Sequence, residues 1–106
     1  MKIITLCGSL RFQKYMMCAA EEMALLGNCI LTPIYPTYET TERTEKQLEM
    51  LKEEHFKKIE LSDAILVINV DDYIGYSTNL EIEYAKKLNK EILYYTDLIK
   101  NKIIKI

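Results

Sequence analysis

Residues 64–70, AILVINV, form a run in which every position but one is apolar, closed by Asp63 on one side and by Asp71-Asp72 on the other. A run of this length, rich in Ile and Val, suits a strand covered on both faces, and such strands belong to parallel sheets with helices above and below. The segment behind this run sharpens the expectation. Gly75, Ser77 and Thr78 belong to a polar loop, and Leu80, Tyr84, Ala85 and Leu88 then recur at helical spacing, which predicts a helix beginning near Thr78. At about 100° per residue, Glu81 falls in the middle of the apolar face. Glu83 points away from it, with Lys87 four residues on as a solvent partner. Glu81 then has two readings. It can close a capping box with Thr78, bonding back to the backbone of the cap residue. Alternatively it is a reactive carboxylate facing a cleft, because ligands of open α/β sheets bind outside the carboxyl ends of their strands.

The rest of the chain alternates in the same way. Residues 2–6 predict a first strand and Cys7-Gly8-Ser9 a tight turn out of it. Residues 12–26 predict a helix with Tyr15, Met16, Ala19, Met23 and Leu26 inward, closed by Gly27-Asn28. Residues 29–32 give a short second strand that Pro33 and Pro36 end, and residues 34–43 a loop of the length that usually has a function. In the long helix expected over residues 44–61, Leu48, Leu51, His55, Ile59 and Ser62 lie close to one face, so the single histidine is on the inward stripe. Residues 91–95 predict a fourth strand, and residues 98–106 a last short strand or a packed tail. This alternation implies a three-layer α/β fold of the flavodoxin or Rossmann kind, one domain over residues 1–106. Its parallel sheet has four to five strands in the order 2-1-3-4-5, with right-handed crossovers and helices on both faces. In that order the chain reverses direction between the first and third strands. The turn from Gly8 to Arg11 and the loop from Asp71 to Ser77 therefore open into one crevice.

Composition narrows the ligand. With 106 residues, 49% of them hydrophobic, there is room for one ordinary core. A net charge of −2 with scattered lysines gives no footprint for nucleic acid or an anionic membrane, which leaves small molecules. The longest apolar runs are strand length, and Met1-Lys2 leads straight into a strand, so a cytoplasmic protein is expected. Cys7, Cys18 and Cys29 fit neither a disulfide framework nor C-x-x-C spacing and read as small buried hydrophobes. With a single histidine beside them, the spacing suggests no zinc site, and nothing in the chain implies a cofactor.

Cys7-Gly8-Ser9-Leu10-Arg11 supplies what a phosphate needs. Gly8 permits close backbone approach, Ser9 offers a hydroxyl at a helix N-terminus, and Arg11 a planar cationic fork. The same Ser9 could simply cap the helix, with Arg11 in solvent. A cysteine-based phosphatase is set aside, since its loop places five residues between Cys and Arg and this turn has three.

Taken together, the CGSLRF turn after the first strand, the acid Asp63 opening the third and Glu81-Ile82-Glu83-Tyr84-Ala85 in the next helix make the chain resemble a known superfamily. It is similar to the nucleoside 2-deoxyribosyltransferases and their relatives, the 2'-deoxynucleoside 5'-monophosphate N-glycosidases. The resemblance covers residues 2–92, and the E-I-E-Y-A segment matches that family's E-L-G-Y-A, whose first glutamate is the nucleophile. It implies that Glu81 attacks the sugar carbon bearing the base, ionised with the help of the helix dipole in a first helical turn. It further implies that Gly8, Ser9, Arg11, Gly75 and Ser77 hold a 5'-phosphate. Members of the family usually carry an aspartate eight residues before the acid that opens the third strand, and here that position is His55. His55 then becomes a candidate general acid for the leaving base, and Asp72 a second nearby carboxylate with a turn-forming alternative. A chain this short leaves the pocket open unless a second subunit or the loop from Tyr35 to Tyr38 covers it, so a homodimer is expected.

An enzyme of N-glycosidic bonds acting on nucleoside 5'-monophosphates, hydrolase or deoxyribosyltransferase, is thus the leading expectation. Two others stand beside it. NADPH-dependent flavin reductases also carry G-S-L-R after their first strand, although their flavin loops are longer and come after later strands. A non-catalytic nucleotide-binding protein on the same fold is the third.

Overall fold

The computed structural model of the protein describes residues 1–37 and 42–105. In chain order the elements are β1 (Ile3–Cys7), α1 (Gln13–Leu25), β2 (Cys29–Leu31), α2 (Glu45–Leu61), β3 (Ala64–Val67), α3 (Tyr76–Lys87), β4 (Glu91–Tyr94) and α4 (Tyr95–Lys100). Single 3-10 turns lead into α1 at Leu10–Phe12 and out of β3 at Val70–Asp72. The strands form one parallel sheet in the order β2-β1-β3-β4. Ile3 lies beside Cys29, Ile4 beside Ala64 and Ala64 beside Glu91. Asp63 fixes that register at its start, since its carboxylate accepts the N–H of Ile3 at 2.8 Å.

Strand alternation divides the core in two. Ile4 and Leu6 of β1, with Ala64, Leu66 and Ile68, face Met16, Ala19 and Met23 of α1 and Tyr95 and Leu98 of α4. Cys7, Ile65 and Val67 face the other way, against Ile59 of α2 and Ile82 and Ala85 of α3. Helices therefore cover both faces, as the both-sides-apolar run over residues 64–70 requires. Among the described residues the sheet has four strands; the segment after β4 turns directly into α4 and packs Ile104 into the α1 layer, the packed tail of the two alternatives.

Helix ends depart most from the simple periodic reading. Leu26 and Leu48, expected inward, are 59% and 52% exposed. The cause is length. Strands of three to five residues span about 10–17 Å, while α2, at 17 residues, runs about 25 Å. Apolar positions in its first turns overhang the sheet. Its start is held by a capping box, in which Thr44 Oγ1 accepts the N–H of Gln47 at 3.1 Å and Gln47 Oε1 accepts the N–H of Thr44 at 2.9 Å. The capping box considered for Thr78 and Glu81 does not form. α3 starts at Tyr76 with Gly75 as its N-cap, so Thr78 is inside the helix and buried, and Glu81 lies in the second turn. Glu83 is exposed as expected but meets Lys86, three residues on, at 3.6 Å rather than Lys87.

Candidate active site

The chain leaves β1 toward α1 and leaves β3 toward α3, and between these two exits lies a cleft of about 750 Å³. Gly8 makes the exits compatible. A Cβ on Gly8 would stand 3.2 Å from both the Cβ and the carbonyl oxygen of Ile68, tighter than side-chain packing tolerates without movement. One wall is the overhanging part of α2, which presents Leu48, Lys52 and His55. The opposite wall is the start of α3, from Gly75 to Thr78, and Glu81 one turn further in. Gly75 gives α3 no side-chain cap, so the first amide groups of this helix have no capping side chain, and Gly75, Tyr76, Ser77 and Thr78 line the cleft there.

At the base three groups from three elements meet. Cys7 Sγ is 3.5 Å from His55 Nε2, and His55 Nε2 is 3.6 Å from Glu81 Oε1. Cys7 is fully buried, and the Glu81 side chain is 19% exposed. Burial governs the charges. It pushes the Glu81 carboxyl up to about 7, against a smaller opposing effect of the Cys7 thiol. It pulls His55 down to about 4, helped by the Lys58 charge and opposed by Glu54. The Cys7 thiol is raised well above its ordinary value by burial and then by Glu81. At neutral pH the site therefore holds a thiol, a neutral imidazole and a carboxyl close to half ionised. Desolvation outweighs the helix dipole at Glu81, which the position in the second turn explains, since the dipole acts mainly within the first.

Six of the eight residues singled out from the sequence line this one cleft: Gly8, Ser9, His55, Gly75, Ser77 and Glu81. Arg11 and Asp72 are placed elsewhere. The Arg11 guanidinium sits 3.7 Å from the ring centroid of Tyr73, which lines the cleft, and 5.2 Å from that of Phe12, and Arg11 itself is not among the lining residues. Asp72 is exposed in the turn after β3, where both it and Asp71 have positive φ and its N–H donates to Asn69. The Ser9 hydroxyl accepts the N–H of Arg11 at 3.4 Å, a loose cap for the turn into α1. Of the loop from Tyr35 to Tyr38 expected to cover the pocket, Tyr35 packs instead against the α1 layer and Tyr38 lies outside the described residues, while Pro33 and Ile34 just before it line the cleft.

Sequence reasoning missed two cations, Arg43 and Lys52. Lys52 was within reach, being one helical turn before His55 on the same side of α2. Arg43 ends an aperiodic loop and leaves no comparable signal. The contact of Cys7 with His55 was also hidden, because it joins residues 48 positions apart.

No protein-family model matches the sequence, and no curated protein matches it. Among solved structures the chain is similar to a 2-desoxiribosyltransferase from Leishmania mexicana, with a TM-score of 0.65 and 19% sequence identity. The match covers 90% of this chain and 64% of that one, so the present chain spans less than two thirds of its neighbour's length. At this identity what the two share is the fold.

Proposed function

We propose that the protein breaks the N-glycosidic bond of nucleoside 5'-monophosphates, hydrolysing it or transferring the sugar, with Glu81 as the nucleophile. The observation that carries this reading is the placement of Glu81. It is an inward carboxylate, bound to no cap, at the base of a cleft whose other features suit a sugar phosphate. A Glu81 oxygen attacks the anomeric carbon, a carbon–oxygen bond forms, and the base leaves with the electrons of the old carbon–nitrogen bond. The remaining carboxylate charge stabilises the oxocarbenium-like transition state, and water or a second base then displaces the sugar from Glu81. His55, the candidate general acid, stands 3.6 Å from Glu81, and burial lowers its imidazole to about 4, so at neutral pH it meets the leaving base as a neutral ring. Ser9, Ser77 and the uncapped start of α3 form the phosphate cradle, with Arg43 and Lys52 supplying positive charge. Asp72 receives no role in the reaction.

The fold shared with a 2-desoxiribosyltransferase supports the same chemistry. The flavin reading has less to rest on, since β4 passes into α4 with no loop between Tyr94 and Tyr95 in which to hold an isoalloxazine. Incubation with a panel of 2'-deoxynucleoside 5'-monophosphates, followed by chromatography for free base, tests the proposal. Release is expected to rise with pH through about 7, as Glu81 ionises. In Glu81→Gln it should fall by about 1,000-fold or more. No release from any member of the panel, or full activity in Glu81→Gln, overturns it.

A further inference from the structure

We propose that Cys7, His55 and Glu81 form a preassembled site for a single zinc-class dication, three-coordinate from the protein and open to the cleft in its fourth position. Nothing in this inference depends on the glycosidic reading.

The geometry is close to what such an ion requires. Bond lengths of about 2.3 Å to sulfur and 2.0–2.1 Å to nitrogen and oxygen, at tetrahedral angles, put sulfur about 3.5 Å from nitrogen and nitrogen about 3.3 Å from oxygen. The corresponding distances here are 3.5 Å and 3.6 Å, and all three donor atoms lie within 4.8 Å of one another. The third pair, sulfur and the Glu81 oxygen, needs about 3.5 Å and lies within 4.8 Å here, so a movement of the Glu81 side chain of up to about 1.3 Å would complete the set. The donors come from β1, α2 and α3, so the fold holds them together without any one of them having to be drawn in from solvent.

The donor types select the ion. One thiolate, one imidazole and one carboxylate suit Zn²⁺ or Co²⁺, whereas Mg²⁺ and Ca²⁺ call for oxygen ligands alone. His55 presents Nε2 to both partners, and its buried Nδ1 has no hydrogen-bond partner among the described residues. Binding an ion through Nε2 places the ring proton on Nδ1, where it meets no acceptor among the described residues, a cost that the bonds to the ion must offset. Binding would release the Cys7 thiol proton to solvent, along with whatever proton Glu81 carries. Cys7 closes the inner side of the site, so the ion enters from the cleft and keeps its fourth ligand, water or a solute, on that side. Linear spacing gave no sign of such a site because its donors stand 48 and 26 positions apart in the sequence (Cys7 to His55, His55 to Glu81).

The test uses the full chain carrying Cys18→Ser and Cys29→Ser, freed of metal by a chelator and titrated with Co²⁺. Saturation at one equivalent is expected, with a thiolate-to-cobalt charge-transfer band in the near ultraviolet and the intense visible bands of a four-coordinate ion. Zn²⁺ should abolish both by displacement. Cys7→Ser should lose the charge-transfer band. His55→Asn and Glu81→Gln should each weaken Co²⁺ by more than the roughly 10–100-fold that loss of an outer-shell partner costs, with the far-ultraviolet circular dichroism unchanged. Absence of the band in the background protein, or its persistence in Cys7→Ser, overturns the proposal. If Cys7→Ser does not fold, Glu81→Gln decides, and an unchanged Co²⁺ affinity there overturns it equally. These readouts require no turnover, so failure of base release leaves them intact.

Discussion

Glu81 and His55 carry opposite consequences for stability, and their meeting hides both. Burial raises Glu81 from 4.5 to about 7, so its contribution to stability is fully present below about 4.5 and is lost as pH rises through about 7. Burial lowers His55 from 6.5 to about 4, so its contribution is present above about 6.5 and is lost as pH falls through about 4. Between about 4.5 and 6.5 the two slopes oppose each other and the fold's stability should be nearly flat. Glu81→Gln removes one of them. In metal-free buffer at pH 8 the variant should exceed the parent by on the order of 2–3 kcal/mol, with little difference at pH 4.5. Urea unfolding at the two pH values measures this, and equal stabilities at pH 8 would show that Glu81 is not held in a desolvated site. An inward acid was visible in the helical period. Its charge state was not, because that depends on how much of α2 and β1 closes over it, which periodicity does not report.

At the scale of elements, the strands and helices were readable wherever a buried run or a helical stripe dominated, whereas which apolar positions near a helix end are covered, and where α3 starts, were not. The apolar pattern over residues 44–61 identifies α2, yet it places Leu48 inward, because the pattern knows nothing of the short strands that the helix outruns. That overrun is what makes α2 a cleft wall. The cations that line the cavity are Lys52 of α2 and Arg43 just before it, while Arg11, in the turn after β1, stacks on Tyr73. The mistaken start of α3 has the same origin. A threonine three residues before a glutamate satisfies the cap pattern, but Gly75 lets the helix begin two residues earlier. If phosphate is bound as proposed, Lys52→Ala or Arg43→Ala should raise KM for a nucleoside monophosphate about tenfold, as expected for loss of a charge-assisted contact, and barely change it for the unphosphorylated nucleoside. Arg11→Ala should leave the ratio of the two as it is. Steady-state kinetics on both substrates decides, and the reverse ranking would return the phosphate to Arg11.

For the molecule as a whole, three layers and the 2-1-3-4 order came directly out of the alternation of the chain, whereas the surface did not. Leu48 and Tyr76, 52% and 81% exposed, stand with Ile34 and Tyr73 around the mouth of the cleft. An apolar rim of this kind is where the homodimer expected from the sequence would pair. Sedimentation should give a dimer, and Leu48→Glu or Tyr76→Glu should shift it to monomer and reduce base release; a monomeric parent protein removes the idea. No helix among the described residues is long and apolar enough to cross a membrane.

The pairing of β1 with β3 joins segments sixty positions apart, as the bond from Ile3 to Asp63 illustrates. Parallel neighbours so remote form slowly, because the intervening chain must surrender its freedom before any contact repays it. Until those two edges are joined, the groups now at the base of the hollow belong to separate pieces of polypeptide. A partly collapsed chain would own every one of them and have nowhere to use them.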